Sequence, residues 1–560
     1  MDTRIVSRSI SVVTLLACAT SIAQTPPPQV SLVTLPLPAG GSDVVLTDLD
    51  AAGNVLGSVK IGTRYEVVEW IGGKTPVVLP RLPADQSKST LDYIAVALNS
   101  AGGVLASAQQ GSATTFPGVY WDPSHHPTAV PGSARVSGLS ATGSISGSIG
   151  ILDGDSETAA RWTTPGAQPM TLPYGSIDNC GGPCGYFGGP ISPNGKYIVA
   201  FVTPPFGHGK DAAIYANGVI DSRFNDVAAT VSQITDAEVV IGAKDTGIAS
   251  DISVGDVYQA MRWESGVYTN LGALPGAPAG FLFESRARSM SANGAIVGYS
   301  QYKSGFSDSH AVMWIHDEII DLHPLLASQL PTNWVASDSY ALNDSGEFIV
   351  VAADPNSDAK NYYLAKPLIP THTTITSNIN PSTYGQQIHL VAKVSPDSGP
   401  VPTTGSVSWY DNGMLLGTAR MTAIGTSSWE PSTWTGGVHN VTAVFPANAT
   451  LASSTSPVFK QTVNAATTRT TVSVAANPAI HGQPVKLTAT VVPVSGTIAG
   501  TVTFKSGSTV LGTGTLDART KQTWLTTSFA KAGSYPITAS FAGSQNFVPS
   551  ASATVNLTVK

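Results

Sequence analysis

The residues of this chain that could do chemistry are acidic side chains gathered in two segments. The first segment is the stretch GILDGDSET and the second follows about ninety residues later, and their acids are Asp153, Asp155 and Glu157, and then Asp245, Asp251 and Asp256. Carboxylate oxygens in such groups could coordinate Ca²⁺, but neither spacing matches that of a known calcium loop. We therefore interpret them as solvated loop acids and expect no cofactor and no metal.

Two histidine–aspartate neighbours could support acid–base chemistry. His310 follows Asp308 at two residues' distance, and His316 directly precedes Asp317. An imidazole beside a carboxylate can act as a general acid or base. No nucleophile elbow, zinc-protease motif or phosphate-binding glycine loop accompanies them in the sequence. We therefore assign no catalytic residue.

The cysteines are few and suit an exported protein. Cys180 and Cys184 share the loop sequence CGGPC, which can bring two sulfur atoms together. Oxidising compartments favour disulfides, so we expect a structural disulfide between them. A zinc site would need two further soft ligands, which the neighbouring residues do not supply.

The first 23 residues have the pattern of a signal peptide. Arg4 and Arg8 precede an apolar run over residues 10–23, which ends in small residues suited to cleavage. A lipoprotein signal ending at Cys18 is the less favoured alternative. The run is too short to cross a bilayer, and no later segment holds about 18 consecutive apolar residues. We expect a protein that is secreted or associated with the cell envelope and has no transmembrane segment.

One pattern recurs along residues 45–369 and must position any such site. An apolar strand, a glycine-centred turn and a second apolar strand are followed about twenty residues later by an aromatic residue, as in ARSMSANGAIVGYS with HAVMW. Four short strands repeating every ~40 to 57 residues are typical of β-propeller blades. The turn positions and aromatic ends of the copies are Gly53 with Trp70, Gly102 with Trp121, Gly143 with Trp162, Gly195 with Tyr215, Ala237 with Trp263, Gly294 with Trp314 and Gly346 with Tyr363. These copies predict seven blades, with six and eight as the alternatives.

We interpret the seven aromatic residues as core groups that fill the gaps between adjacent blades. Exposed sugar-stacking rings are the alternative, but the fixed position of these residues within strands argues against it. Small residues on the second strand are expected where blades crowd one another, and these are Gly57, Ala106, Gly147, Ala200, Gly242 and Gly298. An open ring would expose a long strand edge, so we predict that residues 30–46 pair with the last copy.

These repeats resemble a known family. HAVMW at 310–314, QAMRW at 259–263 and TNLGALPG at 269–276 are similar to the HAF family of probable extracellular repeats, whose copies read roughly HAFLW followed by DLGxLPGG. The resemblance covers residues 45–369, departs from the pattern at Asn270 and implies a secreted, propeller-like protein. It also implies a structural role for His310, and it brings no catalytic motif.

Two further repeats of about 95 residues follow residue 370, where Thr, Ser and Val become abundant. GSVSWYDNGMLLGT in the first corresponds to GTVTFKSGSTVLGT in the second, and both copies resemble bacterial Ig-like β-sandwich domains. Neither contains cysteine, so packing alone must hold them, and the predicted core residues are Leu390, Val407, Trp409, Leu416 and Val441, with Leu487, Val502, Phe504, Leu511 and Ile537. The expected organisation is a signal peptide (1–23), a propeller (24–369) and Ig-like domains at 370–464 and 465–560.

Composition narrows the function. The chain is 12% charged, with a formal net charge of −7 and no basic runs, which argues against nucleic acid as a partner. We expect an exported bacterial binding or adhesion protein without enzymatic activity, whose propeller loops present a face for a polysaccharide or a protein and whose Ig-like domains serve as stalk or accessory contact. The alternative is a secreted glycoside hydrolase or polysaccharide lyase with carboxylates such as Asp155 or Glu284 in the channel.

Overall fold

The computed structural model describes residues 29–111, 113, 115–150, 157–173, 185–203, 211–226, 229–249, 256–278, 281–303, 308–431 and 434–560. The predicted signal peptide and the predicted Cys180–Cys184 disulfide lie outside this part of the chain. Two compact units, Met1–Pro367 and Leu368–Lys560, divide the chain. No described helix is long and apolar enough to span a bilayer.

The first unit is a seven-bladed β-propeller, because its described strands form seven four-stranded antiparallel sheets. From the innermost strand outward, the sheets are β2 (Gly41–Leu49), β3 (Val55–Ile61), β4 (Arg64–Ile71), β5 (Thr75–Val78); β6 (Asp92–Leu98), β7 (Val104–Gln109), β8 (Gly118–Trp121), β9 (Pro127–Ala129); β10 (Arg135–Leu139), β11 (Ile145–Ile149), β12 (Thr158–Trp162), β13 (Met170–Thr171); β14 (Gly185–Ile191), β15 (Tyr197–Thr203), β16 (Asp211–Ala216), β17 (Val219–Asp226); β18 (Ala229–Ile234), β19 (Val240–Ala249), β20 (Asp256–Glu264), β21 (Val267–Gly272); β22 (Ser285–Met290), β23 (Ile296–Gln301), β24 (Ser309–Ile315), β25 (Glu318–Asp321); and β26 (Val335–Tyr340), β27 (Phe348–Ala353), β28 (Lys360–Pro367), β1 (Val30–Val33). The short helix α1 (His323–Leu326) and two 3₁₀ turns, Pro83–Asp85 and Ala327–Gln329, connect sheets.

The ring closes through the N-terminal strand. β1 pairs antiparallel with β28, from Val30 opposite Pro367 to Val33 opposite Leu364, so the seventh sheet combines both ends of the propeller sequence. The predicted closure by residues 30–46 is correct for residues 30–33 and wrong for residues 41–46, which belong to the innermost strand of the first sheet. Each sheet contacts the next, and β2 contacts β27 and β28 of the seventh.

Each gap between neighbouring sheets holds its own hydrophobic cluster. In the gap between sheets one and two, Leu56 and Val67 pack with Tyr93 and Trp121, and the other gaps repeat this arrangement. The seven repeated aromatic residues all lie in these clusters, and their exposed fractions are Trp70 0%, Trp121 0%, Trp162 0%, Tyr215 0%, Trp263 0%, Trp314 1% and Tyr363 9%.

Five of these aromatic side chains also donate a hydrogen bond to the preceding sheet. Each bond ends on a backbone carbonyl in or just after that sheet's outermost strand, and the pairs are Trp70 to Pro36 (2.7 Å), Trp121 to Pro80 (2.7 Å), Trp162 to Pro131 (2.8 Å), Tyr215 to Pro173 (2.9 Å) and Trp314 to Leu271 (2.8 Å). Tyr215, which stands in place of tryptophan in the fourth sheet, makes the bond with its hydroxyl. Trp263 and Tyr363 are the two exceptions. The indole nitrogen of Trp263 has no partner among the described residues, and the Tyr363 hydroxyl lies 3.5 Å from Nδ2 of Asn361 in its own strand.

A bulge at one position distorts the innermost strand of every sheet. The small residue of the second strand lies opposite this bulge. At Gly298 an added Cβ would stand 1.9 Å from the Arg286 carbonyl oxygen, and at Gly242 it would stand 1.9 Å from that of Thr230. The crowding at these two glycines therefore arises within a sheet, from the bulged strand's backbone. Gly147 is also crowded by the next blade, as the sequence suggested, because a Cβ added at Gly188 would stand 2.4 Å from the Gly147 carbonyl oxygen.

The second unit contains two Ig-like β-sandwiches. The strands of the first are β29 (Thr371–Ser377), β30 (Ser382–Thr383), β31 (Leu390–Pro396), β32 (Ser406–Asp411), β33 (Met414–Arg420), β34 (Thr426–Trp429), β35 (Gly437–Phe445), β36 (Ser454–Thr455) and β37 (Phe459–Asn464). The strands of the second are β38 (Thr468–Val474), β39 (Pro484–Pro493), β40 (Thr501–Ser506), β41 (Thr509–Thr515), β42 (Gln522–Ser528), β43 (Gly533–Phe541), β44 (Ser550–Ala551) and β45 (Val555–Val559). The first sandwich has the sheets β29-β31-β34 and β30-β37-β35-β32-β33, with β36 on β35. The second has the sheets β38-β39-β42 and β41-β40-β43-β44, with β45 on β43.

Eight of the ten predicted core side chains in these sandwiches are buried, and Leu416 and Leu511 are half-buried on edge strands. The β32–β33 hairpin turns at Asn412 and Gly413, with φ of 49° and 80°. Positive φ at both central residues gives the turn a twist that matches the flanking strands.

The indole bond can be tested with a matched pair of variants. Trp121→Phe removes the donor to the Pro80 carbonyl, whereas Trp263→Phe removes a donor without a partner. Both variants lose the same volume, so the propeller should lose about 1 to 2 kcal/mol more stability in Trp121→Phe. Urea unfolding followed by fluorescence measures this difference, and equal losses would contradict the role of the bond.

Ring closure predicts that removal of β1 lowers the melting temperature. A chain lacking residues 24–34 leaves the edge of β28 unpaired, so its melting temperature should fall by on the order of 5 °C or more. A chain lacking residues 24–28 keeps β1 and serves as the control. Calorimetry of both proteins checks this, and identical melting temperatures would show that β1 does not close the ring.

Candidate functional site

The central channel of the propeller opens into a cavity of about 780 Å³ at one end. The cavity lies where each innermost strand turns into the second strand of its sheet, and all seven sheets contribute to its lining. A concave site that combines apolar and polar lining residues is the usual place for a ligand, so we take this cavity as the candidate binding site.

The turns around this cavity share one construction. Each begins with Asp, Asn, Ser or Thr, and the backbone N–H three residues later donates to the carbonyl of that first residue. In the first sheet the Asp50 carboxylate also accepts from the N–H groups of Ala52 and Asn54, at 2.9 and 2.8 Å. Six turns place glycine at positive φ, and in the fifth sheet Glu238 holds this position with φ of 63°. The turn position predicted at Ala237 is therefore wrong by one residue.

An apolar collar lies beneath these turns. In every sheet the residue directly before the first turn residue lines the cavity and is Leu, Ile or Met, and the seven are Leu49, Leu98, Leu139, Ile191, Ile234, Met290 and Leu342. The cavity consequently has an apolar floor and a polar rim. The sequence contains this collar as one apolar residue directly before the turn residue in every copy, a signal that we did not use.

Hydrogen bonds between neighbouring sheets hold the collar in place. Asp48 Oδ2 accepts from the N–H of Leu98 at 2.8 Å, and Ser289 Oγ accepts from that of Leu342 at 2.9 Å. Gln233 makes two such bonds to the backbone of Met290, at 2.6 and 3.3 Å. The floor is thus built before any ligand arrives, which reduces the entropy cost of binding.

The carboxylates of the rim are engaged in backbone hydrogen bonds. Asp236 accepts from the N–H of Asn194 at 2.7 Å, and Asp344 accepts from that of Ala292 at 2.7 Å. Arg262 donates from two nitrogens to Asp317, at 2.8 and 3.0 Å. These bonds fix the positions of the polar groups at the rim.

The predicted acidic groups do not come together in the described structure. Asp153, Asp155 and Asp251 lie outside the described residues, as does the side chain of Asp256. Glu157 bonds to Ser148 and lies 3.4 Å from Arg135, and Asp245 accepts from the N–H of Gly247 at 2.7 Å. Glu284 accepts from the Tyr299 hydroxyl at 2.8 Å. Among the described residues, no group of three His, Cys, Asp or Glu could hold a metal ion.

His310 pairs with an aspartate other than its neighbour in sequence. Its Nδ1 lies 2.8 Å from Asp321, while Asp308 forms an ion pair with Lys303 at 3.4 Å. His310 stacks on Tyr302 with ring centroids 3.8 Å apart.

Nε2 of His125 lies 2.8 Å from Glu69 across the joint between the first two sheets. Burial raises the pKa of Glu69, and the hydrogen bond to His125 partly opposes that rise. His316 and Asp317 occupy a tight turn with φ of 51° and 65°.

Comparison with known proteins identifies the second unit. Residues 375–464 and 471–560 each match the family described as bacterial Ig-like domain (group 3). The chain therefore carries two bacterial Ig-like group 3 domains at its C-terminal end. No curated protein matches the chain. The resemblance of the repeats to the HAF family stays a prediction.

Solved structures with similar folds include propeller-containing proteins. A prolyl endopeptidase shares 11% identity with a TM-score of 0.40, over 67% of this chain and 56% of its own. The β-propeller domain of the trilobed protease from Pyrococcus furiosus shares 8% identity with a TM-score of 0.35, over 56% of this chain and 94% of its own. Fibronectin(III)-like modules of Clostridium thermocellum CbhA share 20% identity with a TM-score of 0.15, over 33% of this chain and 92% of their own. The chain spans little more than half the length of the endopeptidase that it matches.

Asp48 should make stability depend on pH. Burial raises its pKa to about 6 and the nearby Asp50 adds to the rise, against the opposing amide bonds. Because the folded pKa exceeds that of the unfolded chain, stability falls as pH rises from about 4 to about 6 and is level above that. Asp48→Asn removes this titration, so the stability difference between variant and wild type should change by up to about 2 kcal/mol across the window. Urea unfolding at several pH values checks this, and parallel curves would contradict it.

Proposed function

We propose that this chain is an exported, non-enzymatic binding protein. Its propeller (24–369) presents a face for a polysaccharide or a protein, and its Ig-like domains (370–464 and 465–560) act as stalk or accessory contact. The observation that carries the proposal is the cavity at the end of the channel, which combines an apolar collar with a rim of fixed polar groups. The same proposal includes two structural supports of the propeller. These are the expected disulfide between Cys180 and Cys184 and the seven repeated aromatic residues between the sheets.

The chemistry of the cavity suits a sugar. Sugar rings have apolar C–H faces and hydroxyl edges, which correspond to the collar and to the carboxylate and amide groups around it. Asp50 and Asp344 are already bonded to backbone N–H groups, so they are placed to accept hydroxyl hydrogens and not to transfer protons. A preformed site of this kind binds without spending free energy on ordering its own side chains.

The two Ig-like domains contact each other closely. Tyr384 of the first packs edge-on against Phe547 of the second, with ring centroids 5.1 Å apart. The N–H of Gly436 donates to Asn546 at 2.7 Å, and Ser495 donates to the Tyr384 carbonyl at 2.5 Å. Such contacts restrict bending between the two domains, which supports a role as a stalk. A location outside the cell or on its envelope agrees with the signal-like N-terminus.

The experiment is a binding assay combined with a product assay. The full chain is incubated with soluble plant and bacterial polysaccharides, and retention in affinity gels is measured beside new reducing ends and unsaturated products. We expect retention by at least one polysaccharide without products. Ser100→Trp, which places a large ring at the exposed rim, should weaken binding at least tenfold, whereas Thr63→Trp, on an exposed turn outside the cavity lining, should not.

Product formation would overturn the proposal in favour of the hydrolase or lyase alternative. Binding that Ser100→Trp leaves unchanged would place the ligand elsewhere on the protein. Retention by no polysaccharide would leave the protein-binding form, which is then tested by cross-linking the full chain to envelope proteins with the same two variants, and failure there as well would refute the proposal.

A further inference from the structure

A second cavity, of about 450 Å³, lies deeper in the channel. Its lining comes from the innermost strands of sheets five, six and seven, and consists of Val231, Ser232, Arg286, Arg288, Asp338 and Tyr340. Two arginines from one strand therefore line one cavity. Neither arginine has a role in the function proposed above.

Arg288 has its charge balanced. Its Nη2 donates to Asp338 Oδ2 at 3.0 Å, and its guanidinium carbon lies 5.1 Å from the ring centre of Tyr299. The ion pair joins sheets six and seven. Arg288 thus has a carboxylate partner, although its Nε, like that of Arg286, is buried without a hydrogen bond.

Arg286 differs in this respect. No described carboxylate lies within ion-pair distance of its guanidinium, and its Nε is buried without a hydrogen-bond partner. Glu284, two residues earlier, bonds instead to the Tyr299 hydroxyl at 2.8 Å. A buried cationic N–H without an acceptor is unfavourable, so the site lacks one anionic group.

The repeats show that this pair of arginines is not required by the fold. Arg288 occupies the bulge of its strand, where other sheets have Thr47, Val96, Ser137, Ser232 and Ser337. At the position of Arg286 the third sheet has Arg135, which is paired with Glu157 at 3.4 Å. Sheet six alone places an unpaired arginine beside a second one. A departure of one copy from its repeats at a channel-facing position points to a ligand.

We propose that this cavity binds the carboxylate of an acidic sugar through Arg286. The planar guanidinium matches a carboxylate with two parallel hydrogen bonds. Asp338 lies in the same cavity and disfavours a dianion, so a monocarboxylate is selected over phosphate. The cavity is larger than a bare carboxylate needs, and Ser232 together with the ring of Tyr340 can contact the hydroxyls and the C–H face of one sugar ring. The site is distinct from the rim cavity and does not require the function proposed above.

The test is calorimetric titration of the full chain with D-galacturonate and D-glucuronate, beside neutral D-galactose, acetate and inorganic phosphate. At least one uronate should bind with one site per chain and a dissociation constant on the order of 1 mM or tighter. Galactose should bind at least tenfold more weakly, and so should phosphate. Arg286→Met keeps the apolar stem and should weaken uronate binding at least tenfold.

The control is Arg161→Met, which removes another arginine whose Nε is buried and unpartnered but which lies outside this cavity. It should leave uronate binding unchanged. If Arg286→Met does not fold, Ser232→Leu offers a second test, because it fills the cavity while both arginines stay in the sequence. This variant should abolish the rise in melting temperature that uronate gives the wild type. Failure of both uronates to bind, preference for phosphate, or unchanged binding in Arg286→Met or in folded Ser232→Leu would overturn the proposal. The rim variant Ser100→Trp should retain uronate binding, which separates this site from the polysaccharide face.

Discussion

The joint between neighbouring sheets is the constraint on which the rest of the propeller depends. Twisted sheets arranged around an axis diverge outward, and the gap between them must be filled by large apolar groups. Here an indole or phenol ring fills each gap, and in five joints its polar atom also bonds to a carbonyl of the preceding sheet. At the closing joint Trp70 bonds to Pro36, just after the N-terminal strand, so this joint uses the same contact as four others.

The channel inherits its properties from this arrangement. A bulge in every innermost strand shifts the pairing by one residue, and the next residues then bond to the neighbouring sheet around the channel. The same geometry produces the collar of apolar residues and the rim of turns. The copies differ from one another at channel-facing positions, such as those of Arg286 and Arg288. The fold of the sheet does not require an arginine at either position. A repeated framework can therefore carry a specific site in one copy.

The sequence predicted the repeating features because they recur in period and type. The blade count, the buried aromatic residues and the Ig-like sandwiches follow from strand alternation, turn glycines and spacing. The sequence did not predict pairings between distant residues, such as His310 with Asp321, Arg262 with Asp317 and His125 with Glu69, because sheet neighbours are set by the ring and not by chain order. The bulges were missed for a similar reason, since a skipped residue leaves the apolar alternation almost unchanged.

Hydrogen exchange of the tryptophan indole N–H groups tests the sealing of the joints most directly. In a spectrum of the full chain with ¹⁵N-labelled indoles, assigned with single Trp→Phe variants, the Trp70, Trp121, Trp162 and Trp314 signals should exchange slowly, because each N–H is hydrogen-bonded and its ring is buried. The exposed Trp524 should exchange rapidly and provides the internal reference. Exchange of the four joint indoles as fast as that of Trp524 would contradict the account.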